Sequence, residues 1–387
     1  MSDAEGEDVM EETEAEEAEE PPTGGEEAEE AVGEEEGEEE QQEEQEPEEE
    51  EEKLPEVPLT EEMMPECLSL LCKTGDGLAH AYVKIDIKER ELTNISLLKS
   101  FIHLRYVDVS KNKLKDISPL SALTHMLTLK ADENLLTSAR LEEMPFLQVA
   151  SFNSNKITST EGVNHPMLEH LSINNNEITK ITGLDTQKLS RLHTLELRGN
   201  KLTTTDGIVL PNLKNLFLAA NMIKHLEGMQ HLTGVQTIHL RENQLSQLDG
   251  FREENKMLQY INMRGNNVTD VKEIKKLAVV PMLRALVLSE NPAAEEDDYR
   301  VEVLIALRKL ERLDKAEYTE DERNDAEEMA EARKLEEANA ELRDLAAVHV
   351  GPTRYHITFR DDDELENAGG CSDSFHQPGR TAREGGK

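Results

Sequence analysis

From Leu104 to Asn291 the apolar residues keep returning in one register, LxxLxLxxNxL. It starts with Leu104-Val107-Val109-Asn112-Leu114 and passes through copies such as Leu192-Leu195-Leu197-Asn200-Leu202. It ends at Leu283-Leu286-Leu288-Asn291, where Pro292 breaks it, and a degenerate copy, Tyr82-Ile85-Ile87-Arg90-Leu92, precedes the series. Within each copy the residues at positions 4 and 6 share one face of a short strand and point to a core, while positions 3, 5 and 7 face outward. Each copy therefore predicts a short strand, a turn and a return.

The asparagines Asn112, Asn134, Asn155, Asn176, Asn200, Asn221, Asn243, Asn266 and Asn291 lie 22, 21, 21, 24, 21, 22, 23 and 25 residues apart. That spacing falls inside the leucine-rich-repeat period, and nine copies in register leave no serious competing fold. Where a strand ends, backbone groups lose their sheet partners. An asparagine amide, with two donors and an acceptor, can satisfy them; leucine cannot, and aspartate lacks the donors. Five consecutive copies also place Gly and an apolar residue seven and eight positions past the asparagine: Gly162-Val163, Gly183-Leu184, Gly207-Ile208, Gly228-Met229 and Gly250-Phe251. Glycine there relieves a crowded or left-handed position in a tight return. The expected fold is an α/β solenoid, with a curved parallel sheet on the concave side and short 3-10 or helical turns on the convex side.

The ends read differently. Residues 54–82, with Met63, Met64, Cys67, Leu68, Leu70 and Leu71, predict an N-terminal helical cap to a solenoid spanning 83–292. Residues 293–318, with Tyr299, Val303, Leu304, Leu307, Leu310 and Leu313 at helical spacing, predict an amphipathic helix closing the other end. A capping box at Thr319–Glu322 opens a charged helix over 319–350. Leu335, Ala338, Leu342 and Leu345 fit a heptad too briefly for a coiled coil, so a lone exposed helix is favoured.

Charge sharpens this division. The 387 residues carry a formal charge of −41, but residues 1–53 alone hold 29 acids against one base, Lys53. Such a segment repels itself and lacks apolar residues to bury, so it is expected to be a disordered acidic tail; 351–387 is expected to be a second disordered tail. Three cysteines, an odd number, argue against a disulfide framework and for a reducing, cytosolic setting. Cys67 and Cys72 lack a second ligand pair at zinc spacing and read as buried structural thiols. The acidic start lacks a secretory signal, and no apolar run reaches the length of a membrane span.

No nucleophile elbow, phosphate loop, HExxH or dinucleotide fingerprint is present, so an enzyme, a cofactor and a small-molecule substrate are all disfavoured. The pairs His165/His170 and His225/His231 lack converging carboxylates and read as surface histidines, His170 on the concave face. Nucleic acid is disfavoured by the charge and by the lack of a basic stripe. What remains is the concave face. Position 7 runs Asp132, Asn153, Asn174, Arg198, Ala219, Arg241, Arg264, beside Phe217 and His239 at position 5 and Tyr260 at position 3. Arginines beside exposed aromatics have the composition of a protein-binding hot spot, although ordinary solvated strand residues would give the same pattern.

The Gly-apolar returns, closed by Tyr299 to Asp314 (YRVEVLIALRKLERLD), resemble the SDS22-like class of leucine-rich-repeat proteins. That class includes a phosphatase regulatory subunit, a spliceosomal subunit and an axonemal dynein light chain. Pro58-Leu59-Thr60, CLSLLCKTGDGLAHAYVKIDIKERELTNI and IHLRYVDVSKNKL resemble, within it, a family of the radial spokes of motile cilia and sperm flagella. The likeness spans roughly residues 55–318. It implies a structural axonemal role, with spoke-head and neighbouring axonemal proteins as partners and no catalytic residues. The wider class implies an alternative, a regulatory subunit of a soluble enzyme such as a phosphatase.

Overall fold

The computed structural model describes residues 55–349, Asp76 excepted. The acidic tail expected over 1–53, the tail expected over 351–387 and Cys371 lie outside the described residues.

Among the described residues the strands form one 13-stranded sheet in strict chain order. β1 (Leu68–Lys73) and β2 (His80–Asp86) open it as an antiparallel hairpin. Nine short parallel strands follow: β3 (Tyr106–Asp108), β4 (Thr128–Lys130), β5 (Val149–Ser151), β6 (His170–Ser172), β7 (Thr194–Glu196), β8 (Asn215–Phe217), β9 (Thr237–His239), β10 (Tyr260–Asn262) and β11 (Ala285–Val287). β12 (Arg312–Leu313) adds in parallel, and β13 (Ala316–Glu317) turns back on it. Position 4 of every repeat sits in the middle of its strand and is buried, as is position 6 just beyond, so a continuous apolar core runs the length of the array. On the convex side short 3-10 turns such as Ser118–Ala122 and Met229–His231 close the coils. The period leaves no room for long helices.

The asparagines line up along one edge of the sheet and are all buried. In each, Oδ1 accepts the position-11 N–H of the preceding repeat at 3.0–3.1 Å. Nδ2 donates to the position-6 carbonyl of that same preceding repeat at 2.9–3.1 Å. Each amide thus joins two coils and neutralises groups the strands leave open. The residue before each ladder asparagine is left-handed, from Lys111 (φ +58°) to Glu290 (φ +60°), and glycine holds this corner only at Gly199 and Gly265.

The N-terminal cap departs from the expected helix. A single turn, α1 (Met64–Cys67), gives way at Leu68 to β1, and Leu70 and Leu71 are exposed. The first strand of the array needs a hydrogen-bonding neighbour, and a hairpin supplies one where a helix would not. The switch also separates the cysteines: Cys67 is buried and Cys72 exposed, so only the first is a core thiol.

At the other end α2 (Tyr299–Ala306) stops before Leu307, and a turn and β12 carry Leu310 and Leu313 into the core, correcting the single long helix expected there. Asp314 takes over from the asparagines. Its Oδ1 accepts the N–H groups of Leu288 and Ser289 at 2.7 and 2.8 Å, and its Oδ2 accepts the Tyr299 hydroxyl at 2.8 Å. A carboxylate, an acceptor only, suffices because all three of these partners are donors, and the Leu288 carbonyl already receives Asn291 Nδ2 at 2.7 Å. α3 (Glu320–His349) begins with a reciprocal capping box: Glu322 Oε2 accepts the Thr319 N–H at 2.8 Å, and Thr319 Oγ1 accepts the Glu322 N–H at 3.3 Å. Its first turns bury Ala326 and Ala330, whereas Leu335, Leu342 and Leu345 stand exposed.

One histidine is not at the surface. His165 is 2% exposed, and its Nδ1 accepts the Met144 N–H at 3.2 Å. Burial pushes its pKa down to about 4. A base whose folded pKa lies below its unfolded value stabilises the fold above the unfolded pKa and loses that contribution as pH falls through the window from 6.5 to about 4. His165→Asn, which keeps an acceptor but cannot titrate, is expected to lose a pH-dependent contribution of about 3 kcal/mol across that window. Urea midpoints of both proteins at several pH values check this, and parallel curves would reject it.

Candidate interaction site

The concave face is built from positions 3, 5 and 7, and its two halves differ in chemistry. In the N-terminal half, side chains bond one another and the backbone across coils. Asp132 Oδ1 accepts the Asn153 N–H at 2.7 Å, and Asn153 Oδ1 accepts the Asn174 N–H and the Ser172 hydroxyl, each at 2.7 Å. Asn174 Oδ1 accepts the Arg198 N–H at 2.7 Å, while its Nδ2 donates to Glu196 at 3.0 Å. This second ladder ties Asp132, Ser151, Asn153, Ser172, Asn174 and Glu196 together across the coils. The alternation of Ser151-Asn153 and Ser172-Asn174 was its signal in the sequence.

On β8 and β9 position 5 carries rings, and β10 adds a third at position 3. Phe217 and His239 are cross-strand partners with centroids 4.8 Å apart, and Tyr260, diagonal on β10, lies 5.3 Å from His239. The Arg198 guanidinium covers Phe217 at 4.3 Å while bonding Glu196 at 2.9 Å, fixing its direction by a cation–π contact and a charged hydrogen bond. His170 is concave as expected and lies 3.5 Å from Glu196, which the sequence did not bring to notice. Arg241 meets Glu242 at 3.3 Å, and Arg264 pairs with Glu290. Burial, then the Arg198 and Arg241 charges, lower the His239 pKa, so this ring is neutral near pH 7. The structure thus joins Arg198, Phe217, His239 and Tyr260 into one continuous ledge. It places Arg241 and Arg264 along the ledge with their own acidic neighbours, and Ala219, between Arg198 and Arg241 in the column, is buried. His225 and His231 stand exposed, apart from this face.

Among the described residues no group of three His, Cys, Asp or Glu could hold a metal ion, and no helix is long and apolar enough to cross a membrane. A leucine-rich-repeat family profile matches residues 191–343, and a two-copy leucine-rich-repeat profile matches residues 166–208. Leucine-rich repeat-containing protein 23 of Bos taurus is 56% identical over 272 residues, covering 70% of this chain and 80% of the relative. The chain belongs to the leucine-rich repeat-containing protein 23 family. The Homo sapiens protein of that name is 54% identical over 72% of this chain and 81% of its own length, and the Xenopus tropicalis protein 54% over 73% and 81%. As a leucine-rich-repeat protein, this member of the leucine-rich repeat-containing protein 23 family is a scaffold for binding other proteins.

Proposed function

We propose that this chain is a non-enzymatic scaffold of the radial spokes of motile cilia and flagella, and that it holds spoke-head or neighbouring axonemal proteins on its concave face. The ledge of Phe217, His239 and Tyr260, with Arg198 laid over its first ring, carries the binding-face reading. Half-buried rings beside arginines supply rigid apolar area at low entropic cost, the composition that dominates protein interfaces. The axonemal setting is supported by a resemblance to the radial-spoke family over residues Pro58 to Leu114, a stretch that includes the cap before Tyr82, where no repeat consensus applies. A tagged copy expressed in a ciliated cell tests the setting. Signal along the axoneme that survives detergent and moderate salt is expected; a diffuse cytosolic signal, lost on permeabilisation, would reject it.

A further inference from the structure

We infer that the ledge from β7 to β10 receives an acidic segment of a partner protein, one that also offers an aromatic or long aliphatic anchor. This deepens the concave-face reading and rests on it. From Asp132 to Glu196, position-5 and position-7 side chains are already committed to the second ladder, so a partner there would have to break internal bonds to gain its own. From β8 that ladder ends and three rings take its place. Apart from the Phe217 face under Arg198, they offer half-buried apolar surface whose ring-to-ring contacts a partner need not break.

The charges beside the rings point to an acidic ligand. Between β7 and β10, positions 3, 5 and 7 carry three arginines, Arg198, Arg241 and Arg264, against one acid, Glu196. Glu196 is already held by Arg198 at 2.9 Å and Asn174 at 3.0 Å, so it is least available to repel a carboxylate. Arg241 and Arg264 are neutralised only from outside the strands, by Glu242 and Glu290, whose side chains are 56% and 58% exposed. Solvent-exposed pairs of this kind contribute little and exchange readily, so a partner carboxylate delivered beside the rings can take either arginine in a bidentate grip. Residues 54–387 carry 54 acids against 41 bases, so the chain offers an acidic segment no general attraction.

Selection of a displayed random-peptide library on the full-length protein, with Phe217→Ala/Tyr260→Ala as the counter-selecting bait, tests the inference. The expected winners cluster Asp and Glu beside Phe, Tyr or Leu. Synthetic copies should lose about tenfold in affinity for Arg241→Glu and again for Arg264→Glu, and stay within about twofold for Lys88→Glu at the far end of the same sheet. Unchanged thermal midpoints certify that each variant is folded. Basic or uncharged winners, acidic winners indifferent to the arginine substitutions, or no patch-dependent winners would overturn it. If the ring variant loses axonemal retention while the winners are not acidic, the partner class fails and the concave-face reading stands. Acidic, patch-dependent winners with undiminished retention would leave the ledge an acidic-segment site and overturn its role in axonemal attachment.

Discussion

Asn243→Ala is expected to lower the unfolding free energy by about 4 kcal/mol, more than most core truncations to the next smaller residue. The amide sits 6% exposed between two coils. Its Oδ1 accepts the Ile223 N–H at 3.0 Å, and its Nδ2 donates to the carbonyls of Leu218 and Leu240 at 2.9 and 3.0 Å. Truncation leaves the buried Ile223 N–H without a partner, at about 1–3 kcal/mol, and takes one of two side-chain donors from each carbonyl, at about 0.5–1.5 kcal/mol each; the Leu218 carbonyl keeps Asn221 Nδ2 at 3.1 Å and the Leu240 carbonyl keeps Asn266 Nδ2 at 2.9 Å. Asn243→Asp separates the roles of the two amide atoms. Its carboxylate still receives the Ile223 N–H but presents negative charge to two carbonyls, so it should be as damaging as alanine at neutral pH and partly recover below about pH 4, where the protonated acid can donate. Urea unfolding monitored by circular dichroism measures all three proteins. Asparagines that serve only as surface polar residues would give losses below about 0.5 kcal/mol.

Gly207→Ala carries the second large effect, about 3 kcal/mol, and Gly228→Ala shows why. Both glycines are left-handed, with φ +87° and +71°. A methyl group on Gly207 would stand 2.1 Å from the Ile181 carbonyl oxygen of the preceding coil, a backbone atom that cannot swing aside. On Gly228 the nearest atom would be 3.7 Å away, an ordinary contact. The first substitution therefore adds a steric collision between coils to the left-handed penalty of about 1 kcal/mol; the second incurs the penalty alone. Thermal midpoints of the pair should differ by several degrees, and equal midpoints would show that the coils are not packed this closely.

The repeats were readable because their constraint is one-dimensional. Every coil must bury the same positions against the coil before it, so a single register error would expose a whole face. The caps obey no such repetition. In the N-terminal cap, the hairpin's cue was the alternation Leu68-Leu70-Cys72 facing Ala81-Val83-Ile85 across a Gly-rich turn, but the run Met63-Met64-Cys67-Leu68-Leu71 carries an equally good helical period. Only the need of the first parallel strand for a neighbour decides between them. His165 was misread for a similar reason: nothing in a turn sequence announces that a ring will fold inward to receive a backbone N–H from the preceding coil. The left-handed corner before each asparagine also went unseen, since Lys, Glu, Ser, Asn and Ala occupy it as readily as Gly. At the concave face the residue types were legible and their neighbours in space were not. The arginine column contains one residue, Arg198, that belongs to the ring ledge by direct contact, and two whose charges are held from the next corner.

Retention of full-length Phe217→Ala/Tyr260→Ala on isolated, detergent-extracted axonemes stripped of the endogenous protein is the most direct test that the ledge is where this scaffold holds its partners. With the fold intact by circular dichroism, the double variant should bind at least tenfold more weakly than the unaltered chain. Equal retention of the two would contradict the assignment of the concave face.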